Sequence, residues 1–199
     1  MNEIKNYILT NWGGYNVKPN VEETDDEIKL MVLYEDHGDK FILIRTKEGN
    51  TYELIPGLTY VKAPTITVLA GSDSCYVFFA ISIDDEIANV LDKSKNVIAT
   101  QLQANGWLEL QDSNKVQIVW TYKGGRAFNV YYKADAVPAS SVDQTLATFE
   151  KFSVAEGATY DDLRKVVCAR ITTQAFAVWS DAFDTPQAAW DGTFKQVSG

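Results

Sequence analysis

An all-β fold, a sandwich or barrel with only a few short helices, is what this sequence predicts, and three observations carry that expectation. Apolar residues come in short runs and alternations of strand length, punctuated by Gly, Asn, Asp and Pro. Aromatic residues make up 12% of the chain, with 5 Trp, 10 Tyr and 9 Phe, which suits pleated, half-buried surfaces better than helix bundles. A Gly-Gly pair at 124–125 separates two alternating segments, as in a tight hairpin. At 199 residues and 46% apolar content, the chain has enough material for one large β domain with a sizeable core.

In chain order, residues 1–26 are polar and weakly periodic and run into an acidic stretch, Glu22-Glu23-Thr24-Asp25-Asp26. That profile fits an N-terminal arm or peripheral strand ahead of a single sandwich domain over 27–199. Strands are expected at Ile28–Tyr34, Lys40–Thr46, Thr51–Ile55 and Thr59–Leu69. Pro64 has no N–H to give a ladder, so the last of these either lies at an edge or breaks there. Cys75–Ile83 is a nine-residue apolar run of strand type. Asp84–Leu91 follows as a short helix, with acids in its first turn, where the helix dipole favours them, and Ile87, Val90 and Leu91 on one face. Asn96–Leu102 and Trp107–Leu110 again have strand character.

Val116–Tyr122 and Ala127–Lys133 flank the Gly-Gly pair, whose two residues reach positive φ without steric cost. Leu146–Val154 and Val167–Trp179 complete the strands. Between them Thr159–Lys165 begins with a Thr cap and an acid three residues on. Asp184–Trp190 has the form of a capped helical turn with Pro186 at its first position.

Charge and composition narrow the function. The formal net charge is −9, with a pI near 4.6, and that field repels phosphate backbones and anionic headgroups. Nucleic acid is therefore not expected as a partner, and no stretch approaches the length of a membrane span. Cys75 and Cys168 lie in apolar runs without metal-ligand spacing. Two buried thiols are expected, with an inter-strand disulfide as the alternative. The single histidine, His37, sits in Glu35-Asp36-His37-Gly38-Asp39, the composition of a solvated turn rather than of a metal site. No nucleophile motif or phosphate loop is visible, and the acids fall mostly in turns and helix starts. Neither catalysis nor a cofactor is expected. Trp120 and Trp179 lie in strongly apolar strands and read as core. Trp12 and Trp107 flank Gly-containing turns and are the exposed candidates, which makes Trp107 the candidate for stacking on a glycan.

Several blocks recur in a familiar order: Pro56-Gly57-Leu58-Thr59-Tyr60-Val61-Lys62-Ala63-Pro64, Ala70-Gly71-Ser72-Asp73-Ser74-Cys75, Asn105-Gly106-Trp107, Val130-Tyr131-Tyr132, and Thr173-Gln174-Ala175-Phe176-Ala177-Val178-Trp179 through Trp190. Over roughly residues 50–192 this resembles the camelysin and TasA-like proteins of Gram-positive bacteria. The resemblance implies a jelly-roll-like antiparallel β-sandwich that assembles into fibres, the N-terminal segment of one subunit completing the sheet of the next. Ile4, Tyr7, Leu9 and Trp12 would then anchor the arm; the alternative is an arm folded back on its own sandwich. The family's signal peptide and characteristic mature N-terminus do not appear at Met1. A virion structural or decoration protein, reaching the outside by lysis, is therefore expected first, with other virion subunits as partners. A secreted matrix or pilus-like fibre subunit is the alternative, and a carbohydrate-binding adhesion module the further one.

Overall fold

The computed structural model describes residues 27–30 (backbone only), 52, 54–121, 125–166 and 169–194. These residues are mostly strands in antiparallel sheets, with a few short helices. The strands are β1 (Glu27–Leu30), β2 (Thr59–Val61), β3 (Thr65–Val68), β4 (Cys75–Ile83), β5 (Trp107–Glu109), β6 (Val119–Thr121), β7 (Ala127–Lys133), β8 (Gln144–Ala147), β9 (Lys151–Ser153) and β10 (Ile171–Trp179). The helices are α1 (Asp85–Val90), α2 (Ile98–Ala104), α3 (Tyr160–Lys165) and α4 (Pro186–Thr193).

The largest sheet runs β10-β4-β7-β5, with β6 also pairing to β7. Its centre is β4, matched over nine residues with β10, from Cys75 opposite Trp179 to Ile83 opposite Ile171. A three-stranded sheet runs β1-β3-β8, and β2 pairs with β9. The β1–β3 pair is parallel, the one departure from antiparallel order among the described strands.

Alternation along β4 divides the core in two. On one face Cys75, Val77, Phe79 and Ile81 join Tyr131 of β7 and Ala175 and Ala177 of β10, and pack on Ile66, Val68 and Phe152 from the smaller sheets and on Phe149 between β8 and β9. On the other face Phe78, Ala80, Phe128, Val130, Phe176 and Val178 are covered by Ala189 and Trp190 of α4 and by Phe194. The main sheet is thus buried on both faces, which explains why β4 is a continuous apolar run rather than an alternating one. Trp190 packs closely on Phe194, with ring centroids 4.2 Å apart and planes tilted by 32°, and meets Phe176 edge-on at 5.8 Å. Gly192 lets Phe183 lie close against α4: a Cβ there would sit 2.6 Å from the Phe183 ring.

Most expected elements appear. Pro64 does separate β2 from β3. β6 and β7, on either side of the Gly-Gly pair, are paired antiparallel, and Gly125 has φ +84°. Thr159 and Asp162 form a full capping box on α3, and Thr185 caps α4 ahead of Pro186. Arg126, just past the turn, is tied to Asp84 at 2.6 Å and to Thr172 at 3.2 Å, while Asp84 also accepts the Arg170 N–H at 2.9 Å. One carboxylate therefore joins the hairpin to the ends of β4 and β10.

Two expectations are corrected. Residues 96–102 are not a strand: α2 occupies Ile98–Ala104, because Ile98 and Leu102, four apart, both reach the core. Leu146–Val154 is not one strand either. The ladder is interrupted at residues 148–150, opposite Pro64, while β8 and β9 keep a single register against the segment that holds β2 and β3, with Lys151 opposite Val61 and Ala147 opposite Thr65. The expected strand Lys40–Thr46, the end of Ile28–Tyr34, the arm and His37 lie outside the described residues.

Candidate functional site

The described surface has a cleft of about 550 Å³ where the α1–α2 connection leans over the β4–β7–β6 end of the main sheet. Its floor is apolar, built by Ile81, Ile83, Val119, Tyr131 and Phe152, with Asp92, Lys93 and Asn96 around the mouth. These residues meet because β4 runs straight into α1. The loop after α1 then turns back over the sheet, helped by Asn96 at φ +55°.

Three polar residues of the cleft, Asp92, Asn96 and Ser153, are hydrogen-bonded within the protein. Asp92 accepts from the Ser94 N–H at 2.8 Å, the Ser94 hydroxyl at 2.6 Å and the Lys95 N–H at 3.1 Å. Hydrogen bonds from Ser94 hold its carboxyl below the usual carboxylate range, the nearby Lys95 charge adding to the effect. Asn96 Nδ2 donates to Ser153 Oγ at 2.7 Å, and Ser153 shares a 2.8 Å hydrogen bond with Thr59. Burial pushes the Tyr131 phenol up; Gln117 opposes that shift by hydrogen bonding, and the charge of Glu109 adds to it. Chemically, the cleft is an apolar slot with a rigid polar rim. Among the described residues its lining is mostly apolar, which suits an apolar side chain or segment.

Just beyond the cleft, side chains from α2 and the turn after it fasten onto the chain at β8 and β9. Gln101 Nε2 donates to the Lys151 carbonyl at 2.8 Å, while its Oε1 accepts from the N–H groups of Glu150 at 3.0 Å and Lys151 at 3.3 Å. Asn105 donates to the Thr148 carbonyl at 2.6 Å.

Trp107, the expected glycan-stacking residue, is fully buried, so that expectation is overturned. It opens β5 on the core side of the sheet, beside Phe79 at 5.8 Å, and its indole N–H donates to the Ala147 carbonyl at 2.7 Å. Lys133 lies over its ring at 4.8 Å and also donates to the Asn105 carbonyl; burial lowers the lysine's pKa. No ring face is left for a sugar. Trp120 and Trp179 are only partly buried, a reversal of the expected order among the tryptophans. Cys75 is a free, buried thiol, pushed up to about 12 by desolvation and by the charge of Asp73; Cys168 lies outside the described residues. Ile4, Tyr7, Leu9 and Trp12, the candidate arm anchors, also lie outside them.

Sequence reasoning missed Gln101, Asn96 and Asn105. Each is a polar residue in a segment of mixed character, and nothing in its immediate neighbours signals a long-range backbone contact. Among the described residues no helix is long and apolar enough to cross a membrane. No family model, curated protein or solved structure matches this chain.

Proposed function

We propose that this chain is a non-enzymatic structural subunit of a larger assembly, a phage virion structural or decoration protein built on a jelly-roll-like sandwich of the TasA type. The supporting observation is the position of large aliphatic side chains outside the core. Ile55 and Leu58 are about half exposed and Val61 is 75% exposed, all within the turn and short strand that end in β2. The described ladder of β2 is with β9. Aliphatic side chains gathered on a short strand are material for a subunit contact, because covering them releases hydration water at no polar cost. The net charge of −9 keeps such a surface from promiscuous association.

The cleft polar groups fit the same reading, since Asp92, Asn96 and Ser153 are spent on backbone and on one another. A secreted matrix or pilus-like fibre subunit would use the same kind of contact in another setting. Mass spectrometry of purified virions and electron microscopy of the full chain, wild type and Val61→Lys, test the proposal. Incorporation or ordered oligomers that Val61→Lys abolishes support it. A chain absent from particles and monomeric at every concentration sinks it.

A further inference from the structure

The outward side of β9 is closed by side chains and loop backbone rather than by a neighbouring strand. Lys62 N–H donates to the Glu150 carbonyl and Val154 N–H to the Leu58 carbonyl, each at 2.9 Å, so the Glu150 carbonyl, Phe152 and Val154 address β2, while the Glu150 N–H goes to Gln101. Lys151, Ser153 and Ala155 therefore turn the other way. There the Gln101 carboxamide takes both the N–H and the carbonyl of Lys151. Asp92 N–H donates to the Ser153 carbonyl at 2.8 Å, and Ala155 N–H donates to the Val90 carbonyl at 2.9 Å. Farther back, Asn105 and Trp107 occupy the carbonyls of Thr148 and Ala147. Residues 90–107 thus cover the backbone from Ala147 to Ala155, and one glutamine stands in for the peptide group of a missing strand.

The covering helix has few means of its own. It has seven residues, no side-chain hydrogen bond at its N-cap Val97, no acid in its first turn and no base in its last. Helices this short are held by tertiary contacts rather than by propensity. Its leading segment, Val97-Ile98-Ala99-Thr100, is rich in β-branched residues and suits a strand equally well.

We propose that Gln101 guards the β9 edge, denying Lys151 to an extended strand from a second copy of this chain. The occupant is a second copy because the segment displaced when the guard fails, Val97–Thr100, is itself strand-forming and is present in every copy. Val61 is the cross-strand partner of Lys151, so the variants are compared with the wild-type chain. Association through the Val61 contact is already present in that parent. Only the increment over it bears on Gln101, which keeps the failures of the two proposals apart.

The experiment compares Gln101→Ala and Gln101→Glu by light scattering over a concentration series and by hydrogen exchange. Ala uncovers Lys151. Glu still accepts its N–H but sets a carboxylate at the edge, a charge that opposes strand addition. Expected results are exchange at the Lys151 amide rising roughly tenfold in Gln101→Ala, together with concentration-dependent self-association, while Gln101→Glu keeps the parent's size. Equal association of both variants would mean that general destabilisation is responsible and would overturn the proposal. So would a Gln101→Ala protein that keeps the parent's size, or whose Lys151 amide exchanges no faster. If Gln101→Ala does not fold, Gln101→Asn, which withdraws the same carboxamide by one methylene, takes its place under the same criteria.

Discussion

Replacing Trp107 separates a core residue from a ligand-stacking one, because the two roles differ by several kcal/mol in stability. The side chain is fully buried, contacts Phe79, lies under Lys133 and gives its N–H to Ala147. Trp107→Ala removes the ring and leaves a cavity, which for a buried tryptophan costs about 3–5 kcal/mol. The orphaned Ala147 carbonyl places the result toward the upper end of that range. Trp107→Phe keeps most of the packing and loses the hydrogen bond, so about 1–2 kcal/mol is expected. For a chain of this size the alanine variant should melt roughly 6–20 °C lower. Urea denaturation followed by far-ultraviolet circular dichroism gives both differences. An exposed stacking residue would move stability by about 0.5 kcal/mol or less. A Trp107→Ala protein within that margin of wild type would refute the assignment of Trp107 to the core.

Asp84→Ala should destabilise by about 1–3 kcal/mol in the same assay, because it strips partners from both Arg126 and the Arg170 N–H. Arg126→Ala should cost about 1 kcal/mol or less, the pair being partly open to solvent and Asp84 keeping its backbone donor; an equal loss from both would deny the three-way junction. With its pKa pushed up to about 12, Cys75 should resist a thiol–disulfide reagent at pH 8 in a folded Cys168→Ala protein and react at once in denaturant; fast labelling of the native state would contradict its burial. The Asp162 carboxyl is held below its ordinary 3.8, chiefly by the Thr159 hydroxyl and then its N–H. Its contribution to α3 is complete above that unfolded value and is lost as pH falls through the lower folded one. The carbon chemical shifts of Tyr160–Lys165 should move toward coil values across that window, and shifts independent of pH there would show the capping box to be idle.

Legibility from sequence followed how local each determinant is. β4 and β7 were readable residue for residue, because long apolar or alternating runs admit one reading. The caps at Thr159 and Thr185 were equally plain, since a cap needs only partners three residues away. Asn96–Leu102 misled because Val97, Ile98 and Thr100 favour strands, while the helix there draws on Ile98 and Leu102 in the core and on Gln101 reaching β9. The break between β8 and β9 was hidden for a related reason: Leu146–Val154 carries no Gly or Pro of its own, and the interruption comes from across the ladder, where Pro64 has no N–H to give. Trp107 looked exposed beside Gly106, yet its place is fixed by Phe79, Lys133 and Ala147, none of them its close neighbours in the chain.

The nine-residue match between β4 and β10 sets the order of events during synthesis. β4 leaves the ribosome greasy on both faces, and its longest ladder waits until Ile171–Trp179 has been made. The lid α4 follows later still, so Phe78 and Ala80 stay uncovered until Ala189, Trp190 and Phe194 have emerged. Long-range closure of this kind makes folding slow and leaves a sticky intermediate. A chain cut short before Ile171 should accumulate as an insoluble, chaperone-bound species rather than as a smaller version of the same fold.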